Sequence, residues 1–406
     1  MKYRIYISII IIICLFLCAC GKDAELPNPE NAVITQEADE DRVVLPSGRS
    51  FKSDAEHISI PGVNHEDIDA LIEIISSMPD LNYVNLGRDA DDGNSLTPED
   101  IERLLEAFPD IDFIYTFVIG NREISLDDTY LDLNHVKMTD NGEKIRGIMK
   151  VLKNVSYLDL DFCGVPDDVM SQIRDENPET EVVWRVWFGK QYSVRTDAER
   201  IVASNPDVDC LTGKDTEVLK YCTKVRFIDL GHNEIDDISF VAYMPDLEVA
   251  ILALNTWTDL SPIANCTKLN YLEMDDTNCK DLTALANLSN LQDLNICNLG
   301  EVSGYDALLS LEKIDRLWIG TNTIIPENVV SKLRESNPDA NINTKATNSV
   351  LSDWRWDPSG ERVDRYDELF LELGYYDYRS LISYYYNDPK YYPEGYTGPK
   401  VVNPEW

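Results

Sequence analysis

Between Val225 and Leu291 the apolar positions of this chain recur at a fixed interval. Val225, Leu247, Leu269 and Leu291 open successive lines of 22 residues. Within each line, other apolar columns keep register. Ile228, Ala250, Leu272 and Leu294 form one column, and Leu230, Leu252, Met274 and Ile296 the next. Ile235, Trp257 and Cys279 follow, then Ile238, Leu260 and Leu282. The alternation at the head of each line predicts a short strand with every second side chain turned inward. One such unit buries too little apolar surface to stand alone. The spacing therefore predicts coils that stack as parallel strands over one continuous core. Asn233 and Asn255 share a further column, which Thr277 fills in the third line. A buried amide there is expected to satisfy backbone groups that turn away from the strand ladder.

These columns resemble the leucine-rich repeat. The period and the L-x-x-N-x-I-x-D-I ending are similar to internalin-type repeats of Gram-positive bacterial surface proteins, from about Val225 to Ile325. The resemblance implies an α/β solenoid: a curved parallel sheet, helices or irregular coils on its convex side, and a capping element at the C-terminus. It further implies a bacterial leucine-rich-repeat lipoprotein that binds a partner on its concave face, a step from fold to role.

The flanks extend the pattern less regularly. Thr97-Pro98 reads as a helix start, with Thr97 as N-cap and Pro98 in the first turn. Phe108 to Gly120 aligns with Asn177 to Gly189 at a spacing of 69 residues, each a Pro-strand-Gly unit behind a helical pattern. Asn337-Pro338 opens a shorter copy. Residues 43–224 are therefore read as long degenerate strand–helix repeats on the same solenoid, with a separate N-terminal α/β domain as the alternative. Residues 225–345 hold the regular repeats. Residues 346–406 form a Tyr/Trp-rich segment expected to cap the exposed core edge of the last coil, with a helix over Glu361–Leu373.

The N-terminus carries a basic start, Met1-Lys-Tyr-Arg, and an apolar run from Ile5 to Leu17 that is short for a membrane span. Leu17-Cys18-Ala19-Cys20-Gly21 resembles a bacterial lipobox. That resemblance implies a signal peptide over 1–19 and lipid attachment at Cys20; an ordinary secretory signal or an uncleaved anchor are the alternatives. Residues 20–42 are polar and acidic and read as a disordered tether. The expected location is the bacterial cell membrane, lipid-anchored and facing the exterior.

Charge narrows the partners. Asp+Glu is 73 against Lys+Arg 36, a net −37, which lacks the basic footprint of nucleic-acid recognition. Cys222, Cys266 and Cys279 fall in apolar columns and read as core residues. There is no C-x-x-C pair, H-E-x-x-H, G-x-S-x-G or phosphate-cradling glycine loop, so no cofactor, no metal and no enzymatic activity is expected. Asp89-Ala-Asp-Asp-Gly reads as an acidic loop; the spacing of an EF-hand is missing. Strand alternation leaves the positions between the Leu columns for the concave side. The candidate binding residues are Tyr83, Tyr157, Asp159, Phe227, Asp229, Tyr271, Glu273, Asp275, Arg316 and Trp318. They are expected on an open, wetted face that takes a protein or peptide. The alternative is a glycan- or solute-capturing envelope lipoprotein, with Trp354, Trp356 and the tail tyrosines as its signature.

Overall fold

The computed structural model describes residues 42–45, 48–89, 95–190, 192–204, 210–347 and 354–355. The expected signal segment, Cys20, the expected tether through residue 41 and the Tyr-rich stretch from Trp356 onward, with its expected helix, lie outside the described residues.

Each 22-residue line folds as one coil. Phe227–Asp229, Val249–Ile251, Tyr271–Glu273 and Asp293–Asn295 are successive parallel strands. Arg200–Val202 joins one edge of this sheet; Arg316–Trp318 and Asn341–Asn343 extend the other, giving seven strands. The sequence column is the register itself: Ile228 lies opposite Ala250, Ala250 opposite Leu272, and Leu272 opposite Leu294. Leu230, Leu252, Met274 and Ile296 are fully buried. The chain is a leucine-rich-repeat solenoid of the α/β class.

The convex return depends on coil length. In the regular coils it is a 3-10 turn, at Ser239–Tyr243, Ser261–Asn265 and Thr283–Asn287, because few residues remain once the strand is built. Longer coils return through α-helices, among them Pro98–Ala107, Asp167–Glu176 and Glu327–Ser336. Thr97 caps the first of these in a reciprocal box with Asp100, as its sequence predicts.

The Asn column stitches coils together. Asn255 donates from Nδ2 to the carbonyls of Leu230, Leu252 and Ala253, at 2.9, 3.1 and 3.2 Å, and accepts from the Ile235 amide at 3.0 Å. Asn233 makes the equivalent set one coil earlier. Thr277 donates to the Met274 carbonyl, within its own coil. Beyond the irregular coil at Gly300 and Gly304, both at positive φ, the amide column shifts by one position. By spacing Asn322 would hold the column, five residues after Leu317 as Asn233 is five after Ile228. Thr323 takes the role instead, donating to the Ile296 carbonyl at 2.6 Å and accepting from the Leu299 amide at 3.0 Å, while Asn322 is exposed.

In the N-terminal half two hairpins interrupt the parallel run. Asp112–Ile119 turns at Gly120 (φ 59°) into antiparallel Arg122–Ser125, and Arg185–Phe188 turns at Gly189 (φ 58°) into Tyr192–Arg195. Both turns need a left-handed residue, which glycine supplies without steric penalty. The parallel strands before them form separate sheets, one with His57–Ser59, Tyr83–Arg88 and Asp112–Ile119, the other with Tyr130–Asp132, Tyr157–Asp159 and Glu181–Val183. Asp89 is a buried hub and accepts from Tyr115 Oη at 2.6 Å and the Val118 amide at 2.8 Å. Cys163, Cys222, Cys266, Cys279 and Cys297 are free and buried; Cys210 is free and exposed.

Candidate functional site

The concave positions do not form the open, wetted face expected from alternation. Phe227, Asp229, Tyr271, Glu273, Asp275, Arg316 and Trp318 are all buried. Two physical contributions are visible among the described residues. The first is local. The acidic and amide residues at the strand ends fold onto their own backbone: Asp229 accepts from the Gly231 amide at 3.1 Å, Asn295 from Cys297 at 3.1 Å and Asp159 from Asp161 at 2.8 Å. These are Asx turns that bend the chain out of the strand. Asn85 and Asn343 do the same.

The second contribution is tertiary. Trp354 and Arg355, from beyond the last strand, lie against the strands Tyr271–Glu273 and Arg316–Trp318. The sequence reading placed this segment over the core edge of the final coil. Its two residues Trp354 and Arg355 lie on the concave face, and the stretch from Trp356 onward lies outside the described residues. The Trp354 ring sits 5.5 Å from that of Tyr271 and 5.2 Å from that of Trp318, and the Arg316 guanidinium stacks over it at 4.4 Å. Arg316 also donates to the Trp354 carbonyl at 2.7 Å and is itself paired with Asp293. Cation–π contacts of this kind gain strength as water is excluded.

Glu273 is the focus of the contact. Its carboxylate accepts from Trp354 Nε1 at 2.8 Å, from Arg355 Nε at 2.9 Å and from Arg355 Nη2, in a two-pronged guanidinium pair. The Tyr271 hydroxyl donates to the same group. Burial by itself raises the Glu273 pKa, but the Arg355 charge and these donors more than offset it and hold the carboxyl below its ordinary value.

Tyr83, Tyr157 and Asp159 are placed elsewhere. Tyr83 belongs to the first sheet, beside the His57 ring at 5.3 Å. Tyr157 and Asp159 belong to the second, where Arg195 reaches back from the hairpin, donating to Tyr157 Oη at 2.9 Å and to Asp159 at 3.1 Å. Burial raises Tyr157 to about 12, against the lowering effect of Arg195. Asp161, between Arg185 and Arg195, is also raised by burial despite both cations. Tyr130 stacks on Tyr157 at 4.8 Å and is 62% exposed, so this part of the face stays accessible. Just beyond the strand ends, Phe162 lies between the His135 and Trp187 rings, and both Phe162 and Trp187 are exposed.

Sequence reasoning missed Arg355, Arg185 and Arg195, which complete these clusters from outside the repeat columns. One signal was present: Val249-Ala-Ile-Leu-Ala253 is apolar at every position, as befits a strand covered on both faces. Among the described residues no group of three or more His, Cys, Asp or Glu side chains is placed to hold a metal ion.

No protein-family model and no curated protein matches this chain. Solved structures that match this chain include an internalin (inlF) of Listeria monocytogenes, at 16% identity and a TM-score of 0.30, over 75% of this chain and 86% of that one. A leucine-rich-repeat protein of Leptospira interrogans matches at 16% identity and a TM-score of 0.30, over 67% and 74%. Internalin C2 of L. monocytogenes matches at 17% and 0.24, over 69% and 86%. The fold assignment stands on the ladder geometry above.

Proposed function

We propose that this leucine-rich-repeat solenoid is a surface-displayed binding module, anchored to the bacterial membrane through lipid at Cys20, that recognises a protein or peptide on its concave side. The observation that carries the reading is that this face already holds a short piece of chain. Trp354 and Arg355 are gripped through an indole, a guanidinium and a main-chain carbonyl, the mixed set by which peptides are recognised. A net charge of −37 favours a cationic partner over nucleic acid. The absence of the standard catalytic motifs supports a binding role rather than an enzymatic one.

A photo-crosslinking residue placed at Tyr130 tests the reading on intact cells, with the same residue at exposed, convex Tyr243 as control. A discrete adduct from the concave position alone is expected. Equal capture from both positions, or none from Tyr130, overturns it. Replacing Cys20 with Ser should release the chain from the membrane fraction.

A second reading is glycan capture. Of its expected signature, Trp354 is buried, and Trp356 and the tail tyrosines lie outside the described residues; the exposed Phe162 and Trp187 rings offer further apolar faces for a sugar. Loss of glycan retention in a Phe162→Ala/Trp187→Ala variant, with the Tyr130 adduct unchanged, would favour it.

A further inference from the structure

A permanent cover for a sheet is most simply built from apolar side chains. Buried ion pairs are a poor device for stability alone, because desolvation of both charges offsets most of their attraction. The cover over Tyr271 and Trp318 is of the second kind: it brings one cation to Glu273 and meets another, Arg316, at its carbonyl. What such a contact confers is selectivity for a particular shape and charge order.

The length of the connection to the solenoid does not dictate where Trp354 sits. Residues 344–353 join the last strand to Trp354, and ten extended residues reach about 33 Å. The Tyr271–Glu273 strand lies three strand positions from Asn341–Asn343, about 14 Å at ~4.8 Å per step. Chain geometry alone does not force Trp354 onto Glu273; the contacts select it.

We propose that Tyr271, Glu273, Arg316 and Trp318 form a receptor for an aromatic–arginine pair in an extended peptide, and that Trp354–Arg355 is its tethered occupant, which an incoming peptide displaces. The site has one feature for each part of such a ligand. The Tyr271 and Trp318 rings flank the indole, Glu273 takes the indole N–H and the guanidinium, and Arg316 holds the main-chain carbonyl. A tethered occupant acts at an effective concentration in the millimolar range, so it screens out weak ligands.

This inference rests on the concave binding reading, and its test separates the two. The mature chain is compared with its R355A and W354A/R355A variants for binding of a labelled peptide, VLSDWRWDP (residues 350–358), by fluorescence polarisation. Both variants should bind it at least about tenfold more tightly than the wild type. Binding should vanish when E273Q is added to R355A, and when the peptide's arginine is replaced by glutamate. A folded variant that binds no better than wild type, or that binds the glutamate peptide equally, overturns the inference. So does failure of both variants to fold, because Trp354–Arg355 would then be fixed core. If the peptide fails while Tyr130 crosslinking persists, the receptor inference alone is lost; if both fail, the binding reading goes too.

Discussion

Arg355 closes a two-pronged ion pair on Glu273 across 82 residues of sequence, with both side chains buried. Severing a buried pair ordinarily costs about 3–5 kcal/mol, since one charge is left without a partner in a dry site. Here the loss is limited by the free energy of docking, because a segment that lifts away lets water reach Glu273. Arg355→Ala should therefore speed hydrogen exchange in the Trp354–Arg355 segment and leave the amides of Tyr271–Glu273 and Val249–Ile251 protected. Exchange rising across all the coils together would mean that the segment and the solenoid unfold as one unit.

Acid should release the same segment. The Glu273 carboxyl is held below its ordinary value, so it binds its proton less readily when docked than when free. Its contribution is complete above the ordinary glutamate value of about 4.3 and disappears as the pH falls through the depressed one. The difference in tryptophan fluorescence between the wild type and Trp354→Phe should be flat from neutrality to about pH 4.3 and collapse below it. In E273Q that acid step should be absent.

The Asn column makes opposite predictions at two neighbouring coils. Asn255→Ala removes three donated hydrogen bonds and one accepted bond from buried backbone groups. The three carbonyls keep other donors (Asn233 Nδ2, Trp257 Nε1 and the His232 amide), so of the four groups the Ile235 amide is left without a partner; a loss of about 1–3 kcal/mol is expected. Thr277→Asn should restore the stitch that its coil lacks and gain about 1 kcal/mol. Urea midpoints measure both. A destabilised Thr277→Asn would show that the third coil has closed around the smaller side chain.

Thiol chemistry should distinguish the cysteines. Burial raises Cys266 and Cys297 to about 12 and Cys279 to about 11, so at neutral pH they are protonated as well as shielded. Of the six from Cys163 to Cys297, only Cys210 should react with a maleimide in the native chain, and all six after denaturation. Mass spectrometry of the labelled peptides gives the answer directly.

Much of the fold could be read from the spacing of apolar residues alone, because a column at one period becomes a strand register when coils stack. The second covering of the concave face was not legible in the same way. Alternation says which side chains share a face but not whether water reaches it, and the covering residues lie outside the repeat. The candidate carboxylates were also ambiguous by composition. An Asp at the strand end is equally suited to solvent, to a ligand or to its own backbone; at Asp229 and Asp159 the backbone amide two residues on is close enough to win. Asn322 stands as far from Leu317 as Asn233 does from Ile228, so spacing points to it; the shift to Thr323 arises after the strand Arg316–Trp318, where column counting has no hold.

Glu273 stands in a column where Asp and Asn elsewhere bend inward to clasp the chain's own backbone. One additional methylene carries its carboxylate past that local clasp and out toward another segment. Closure of a coil and reach toward a visitor are thus set by side-chain length at a single position. A neighbouring coil could acquire a new point of attachment by the same small lengthening, with the scaffold beneath it left intact.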